Sequence, residues 1–67
     1  MSEVVNALRT EVKKQLSTCS HEVTPVFCQM IQNKEGYLKA ETMVIRYAIQ
    51  NQVSIGAAIA QLEVELE

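Results

Sequence analysis

Mostly apolar residues in the second half of the chain recur at seven-residue intervals between Leu38 and Leu66, with Gln52 at the central position, and a second row follows three residues behind the first. This spacing is typical of a coiled-coil seam, in which a helix buries an apolar stripe against a partner helix. We therefore predict that this stretch contacts another helix. The residues predicted to make the contact are Leu38, Ile45, Gln52, Ile55, Ile59, Leu62 and Leu66.

The first half of the chain predicts an arm in two pieces. Apolar residues at three- and four-residue steps predict an amphipathic helix over about residues 2–18, with Ser2 as its N-cap. A second helical piece is predicted over about residues 25–33, because Pro25 favours the first position of a helix. The first arm should therefore be interrupted between the two pieces.

The chain is predicted to turn back at Gly36, because glycine readily takes the left-handed conformation that ends a helix. The returning arm then covers about residues 38–66. Ser54 could cap a new helix within this arm, with Val53 and Ala58 packed together as a hydrophobic staple. The unbroken seven-residue repeat favours one long helix instead, so we predict a continuous helix and leave a break at Val53–Ser54 as the alternative.

These elements predict an all-α fold, a small helical hairpin with coiled-coil-like packing that forms a single domain over residues 1–67. A chain of 67 residues buries only about 60% of the surface that its unfolded form exposes. Chains of this size usually need disulfides, a metal or association to be stable, and two cysteines cannot form a dense disulfide framework. We therefore expect the protein to form homo- or hetero-oligomers.

The net charge is −2, from six basic and eight acidic residues. Three of the acidic residues, Glu63, Glu65 and Glu67, crowd the C-terminal end, where the helix dipole is already negative. That end should fray unless it lies beside basic residues of the first helix, such as Arg9 and Lys13. No basic run appears in the sequence, which argues against a nucleic-acid partner.

The N-terminus has no basic flank and apolar run of the signal-peptide type, and the longest uncharged stretch contains several Gln, Asn and Ser residues. We therefore expect a cytoplasmic protein with no membrane partner and with reduced thiols.

Cys19, His21 and Cys28 could supply three zinc ligands, but structural zinc sites usually use four, in closely spaced pairs. The same residues could form a thiol nucleophile with a base, but no neighbouring residue is placed to orient the imidazole. We predict that the protein is not an enzyme and holds no metal or cofactor. Whether the cysteines do more than pack is left open.

Residues 31–42 resemble the loop of an EF-hand. Four residues match its positions, namely Asn33, Glu35, Gly36 and Leu38. Calcium binding is concentrated in the first and last ligands, which are Ile31 and Thr42 here. A helix–turn–helix corner that uses Gly36 explains the same residues.

The chemistry therefore favours a non-enzymatic interaction module, an adaptor or small chaperone that packs against helices of its own copies or of a client protein. One alternative is a small transcriptional or signalling regulator that acts through oligomerisation or weak DNA contact. Its reading helix would start at Ser54 and present Ala57, Gln61 and Glu65, which suits a DNA groove poorly. A degenerate EF-hand-like or zinc module is the third possible function. The partner, the process and the number of chains stay open.

Overall fold

The computed structural model describes residues 3–67, which form four α-helices and no β-strand within that range. The all-α prediction is confirmed, as is a first arm that is interrupted before Pro25. The predicted N-cap Ser2 lies outside the described residues. The helices are α1 (Glu3–Ser17), α2 (Pro25–Met30), α3 (Lys34–Asn51) and α4 (Ile55–Leu66).

The core lies where the apolar faces of all four helices meet. Phe27 of the short helix α2 is its largest fully buried side chain. Small residues on α3 and α4, among them Ala40 and Ala58, are also fully buried and allow the neighbouring helices to approach closely. Burial of each large apolar side chain contributes about 1.5–3 kcal/mol, so this core is the main source of stability. Its other large, fully buried members are Val12, Leu16 and Val44.

Helices α1 and α3 run side by side in opposite directions. Arg9 of α1 pairs with Glu41 of α3 at 3.8 Å, from Nε to Oε1. Val5, which precedes Arg9 on α1, lines the same hollow as Arg46, which follows Glu41 on α3. Lys13, which follows Arg9, lines the same hollow as Lys34, which precedes Glu41. An increasing residue number on α1 therefore matches a decreasing number on α3.

The returning arm occupies the predicted stretch, but it consists of two helices rather than one. Gln52 ends α3 in the left-handed conformation, with φ 54° and ψ 46°. The backbone N–H groups of Gln52 and Val53 both donate to the carbonyl oxygen of Ala48. Ser54 then caps α4 by accepting a hydrogen bond from the N–H of Ala57 at 3.2 Å. The break at Val53–Ser54, which was the alternative, is the correct one, and the continuous helix is wrong.

We expect Gln52→Gly to raise the free energy of unfolding by about 0.5–1 kcal/mol, because glycine takes the left-handed conformation without the Cβ penalty. Urea denaturation monitored by circular dichroism measures the change. The matched control is Gln50→Gly, which makes the same replacement inside α3 and should lower stability by about 0.5 kcal/mol. If both variants were less stable than the unmodified protein, the left-handed conformation of Gln52 would not be a source of strain.

The corner between α2 and α3 uses Gly36 differently from the prediction. No described glycine has a positive φ, and Gly36 lies in the first turn of α3 instead of ending a helix. The helix is capped by Asn33, whose Oδ1 accepts a hydrogen bond from the N–H of Gly36 at 2.7 Å. Glycine is required here because a Cβ would overlap the backbone carbonyl group of Met30. The predicted helix-ending role of Gly36 is therefore wrong.

Candidate functional site

The structure does not place the seven predicted partner-binding residues on one exposed face. Those on α3 are accessible, with Leu38 51% exposed and Ile45 half-buried. Those at the start of α4 are not, because Ile55 and Ile59 are buried in the core of this chain. Gln52 is exposed in the turn between the helices, Leu62 is half-buried, and Leu66 is exposed near the C-terminus. The partner-binding role of this set stays a prediction.

An apolar stripe runs along the outer side of α3. Leu38, Ile45 and Ile49 are separated by seven and four residues, so they lie on one face of the helix. Leu38 and Ile49 are about half exposed, at 51% and 52%. We call these three residues the α3 stripe. The α3 stripe therefore exposes apolar surface to water that the core of this chain does not cover.

Two residues of the α3 stripe, Leu38 and Ile45, line a groove between α1 and α3. This α1/α3 groove consists of two adjoining hollows of about 540 Å³ and 190 Å³, and the Arg9–Glu41 ion pair belongs to the lining of both. Its apolar lining includes Val5 from α1 and Leu38 and Ile45 from α3. The groove can therefore offer apolar contacts along several helical turns.

Tyr37 adds a polar group to the α1/α3 groove. Burial raises the pKa of its phenol, and the negative charge of Glu41 raises it further. The hydroxyl therefore stays protonated at neutral pH and can donate a hydrogen bond.

Basic side chains line both sides of the α1/α3 groove. Arg9 and Lys13 come from α1, and Lys34 and Arg46 come from α3. Glu41 is the one carboxylate among the described residues that line the two hollows, and it is already paired with Arg9. Four of the six basic residues of an acidic chain are therefore collected in one place.

Sequence reasoning missed this collection of charge. The one-turn spacing of Arg9 and Lys13 was a visible signal that α1 has a basic face. No signal in the sequence indicated that this face lies beside Lys34 and Arg46, because their proximity depends on how α1 packs on α3.

A separate hollow of about 210 Å³ lies between α3 and α4 and is lined in part by Met43, Tyr47 and Leu62. Methionine adapts readily to different contact surfaces. Of the residues that line this hollow, Arg46 is the charged one. This hollow therefore has fewer charged groups that could bind a polar partner than the α1/α3 groove has.

Cys19 and Cys28 are free thiols on either side of the Thr24 hydroxyl. Thr24 Oγ1 hydrogen-bonds with Cys19 Sγ and lies 3.6 Å from Cys28 Sγ. Burial raises the pKa of the Cys19 thiol, and its contact with Cys28 raises it further. A thiol with a raised pKa is a weak nucleophile at neutral pH, because the thiolate is the reactive form.

The other candidate ligand sets are not assembled either. His21 is exposed, and residues 3–67 contain no group of three or more His, Cys, Asp or Glu side chains placed to hold a metal ion. The stretch that resembles an EF-hand loop is largely helical, because α3 already begins at Lys34.

The most buried charged side chain is Glu63, which is 4% exposed. Its Oε1 accepts a hydrogen bond from the N–H of Val26 at 2.7 Å, and its Oε2 accepts one from the N–H of Phe27 at 3.2 Å. A carboxylate at a helix N-terminus satisfies free N–H groups and the positive end of the dipole. Glu63 therefore ties α4 to α2, a contact that was not predicted when it was grouped with Glu65 and Glu67 at the acidic end.

No described helix combines the length and the apolar character needed to cross a bilayer. The chain matches no protein-family model, no curated protein and no solved structure.

Proposed function

We propose that this protein is a non-enzymatic helical interaction module, an adaptor or small chaperone that binds an amphipathic helix of a partner in the α1/α3 groove. The observation that carries the proposal is the half-exposed α3 stripe beside a groove with an apolar lining. Contiguous exposed apolar surface marks interaction sites on soluble proteins. Packing a partner helix there would remove that surface from water.

The dimensions of the groove suit a helix of several turns. Its lining on α3 extends from Lys34 to Arg46, which corresponds to roughly 18 Å at 1.5 Å per residue. A partner helix would place its apolar residues at three- and four-residue steps against Val5, Leu38 and Ile45, as in other helix-in-groove complexes.

The cysteine chemistry supports a binding role over catalysis. The Cys19 thiol is partly buried, its pKa is raised, and His21 is exposed on the connection before α2. A nucleophile–base pair needs an activated thiol and an oriented imidazole. The free state of both cysteines is in keeping with a cytoplasmic location, which is part of the proposal.

A regulator that contacts nucleic acid is the second candidate, and the four cations of the α1/α3 groove favour it. Basic clusters attract phosphates and release counterions on binding. The apolar lining between the cations favours a protein helix instead, because phosphate backbones offer little apolar surface.

A designed amphipathic peptide tests the first candidate. The peptide carries leucines at three- and four-residue steps, neutral glutamine on its other faces and a fluorescein label, and binding is followed by fluorescence anisotropy. We expect saturable binding that Leu38→Ser together with Ile45→Ser weakens by about tenfold or more, because these residues line the groove.

The matched control is Val64→Ser, which removes an apolar side chain that is 68% exposed on α4, outside the groove. It should leave the affinity unchanged. Equal weakening by the groove variant and by the control, or no saturable binding to the unmodified protein, would contradict the proposal.

A further inference from the structure

We infer that the α1/α3 groove selects an acidic amphipathic helix, with an apolar stripe flanked on both sides by glutamate or aspartate. This inference rests on the proposed function and adds the chemistry of the partner. It is carried by the charges around the groove, which would complement a negatively charged helix.

The positive charges lie on both sides of the groove, and we call the two sides its banks. Arg9 and Lys13 form the α1 bank, and Lys34 and Arg46 form the α3 bank. Glu41 offsets one of these four positive charges, which leaves a formal charge of +3 for the lining. The whole chain is acidic, with a net charge of −2, so the groove is opposite in sign to the molecule that carries it.

The arrangement suits a helix that is both apolar and acidic. Lys and Arg side chains can lay their aliphatic stems along apolar surface while the charged group stays in water. A partner helix in the groove would place its apolar stripe on Val5, Leu38 and Ile45. Carboxylates on its two flanks would then face cations on both banks.

The spacing of the cations restricts the partner further. Arg9 and Lys13 are one helical turn apart, so carboxylates four residues apart on a partner helix would match them. Lys34 and Arg46 lie near opposite ends of the groove, which calls for acidic residues over about three turns. Charges at the rim of an interface mainly set partner choice and association rate.

Three labelled peptides test this inference. They share one leucine stripe and carry glutamate, glutamine or lysine on its two flanks. In anisotropy titrations at about 50 mM salt we expect the glutamate peptide to bind about tenfold more tightly than the lysine peptide, with the glutamine peptide between them. The difference should shrink at about 0.5 M salt, where exposed charges are screened within a few ångströms.

Charge reversal within the groove provides the matched test. Lys13→Glu together with Lys34→Glu should remove or invert the preference for the glutamate peptide. Lys14→Glu together with Lys39→Glu makes the same change in net charge at exposed residues outside the groove lining and should preserve the preference. Circular dichroism establishes that both double variants keep the helical fold.

The outcomes separate the two levels of the proposal. Binding of all three peptides with equal affinity would overturn the acidic preference and leave helix binding standing. Binding of none would overturn both. Equal loss of preference in the two double variants would overturn the assignment to this groove, and tighter binding of a labelled DNA duplex than of the glutamate peptide would overturn the choice of a protein helix.

Discussion

Gly36→Ala is expected to lower the free energy of unfolding by about 3 kcal/mol or more. A methyl group at this position would overlap the carbonyl group of Met30. That obstacle is backbone, so the α2–α3 corner would have to open to relieve it. A chain of 67 residues is expected to have only about 3–10 kcal/mol of stability, so much of the population should unfold.

Gly56→Ala is the control, because a Cβ there would have no neighbouring atom within 4 Å. It replaces glycine by alanine inside α4 and should raise stability by about 0.5–1 kcal/mol. Urea denaturation of both variants measures the two changes. If both variants changed the free energy of unfolding by the same amount and in the same direction, the contact between Gly36 and the Met30 carbonyl group would not affect stability.

Glu63→Ala is expected to lower the free energy of unfolding by about 2–4 kcal/mol. The change leaves the N–H groups of Val26 and Phe27 without their acceptors at the edge of the core and removes the link between α4 and α2. Glu63→Gln should cost about 1–2 kcal/mol, because its single carbonyl oxygen can replace one of the two carboxylate acceptors.

Glu65→Ala is the matched control for Glu63, since it removes an exposed carboxylate two residues further along α4. It should change stability by less than about 0.5 kcal/mol. Urea denaturation at neutral pH distinguishes the variants. A loss at Glu63 no larger than that at Glu65 would mean that the buried carboxylate does not hold α2 in place.

The first arm could be predicted from the sequence because its signals are local. The spacing of apolar residues predicted a helix over about 2–18, and α1 is Glu3–Ser17 within the described residues. Pro25 opens α2 as predicted, since a proline at the first helical position gives up no internal hydrogen bond.

The second arm was harder because its repeat has two possible causes. A seven-residue repeat arises from one long seam, and it also arises when two consecutive helices turn their apolar faces to the same core. Among the residues of the repeat, Ala48 of α3 is buried in the same core as Ile55 and Ile59 of α4, so the second cause applies to these three. Leu38 and Ile45 belong to the α3 stripe instead. Ser54 correctly indicated the start of a new helix. The prediction followed the seven-residue repeat instead, because the repeat extends across this point.

Gly36 and Glu63 were misread because the role of each depends on a contact with helix α2. The reason for Gly36 is the carbonyl group of Met30, which no local pattern reveals. Glu63 lies four residues after Ile59 and therefore in phase with the buried face of α4, so its burial had a visible signal. Charged residues are so seldom buried that the signal carried little weight.

The partner-binding role of the seven selected residues stays a prediction, and only some of them line the candidate groove. Leu38 and Ile45 were selected as contact residues, and they border the α1/α3 groove. The basic banks of that groove were not predicted, because Arg9 and Lys13 lie far along the sequence from Lys34 and Arg46. Their meeting depends on the packing of α1 against α3, which brings Arg9 next to Glu41.

The most direct test of the central claim, that the α1/α3 groove binds a partner helix, is a nuclear magnetic resonance titration. Isotope-labelled protein is titrated with the glutamate peptide, and backbone amide shifts are followed residue by residue. The account predicts that the largest shifts fall along the groove, at Val5, Arg9, Leu38 and Ile45. Shifts concentrated on α4 or at the thiols, or no shifts at saturating peptide, would contradict it.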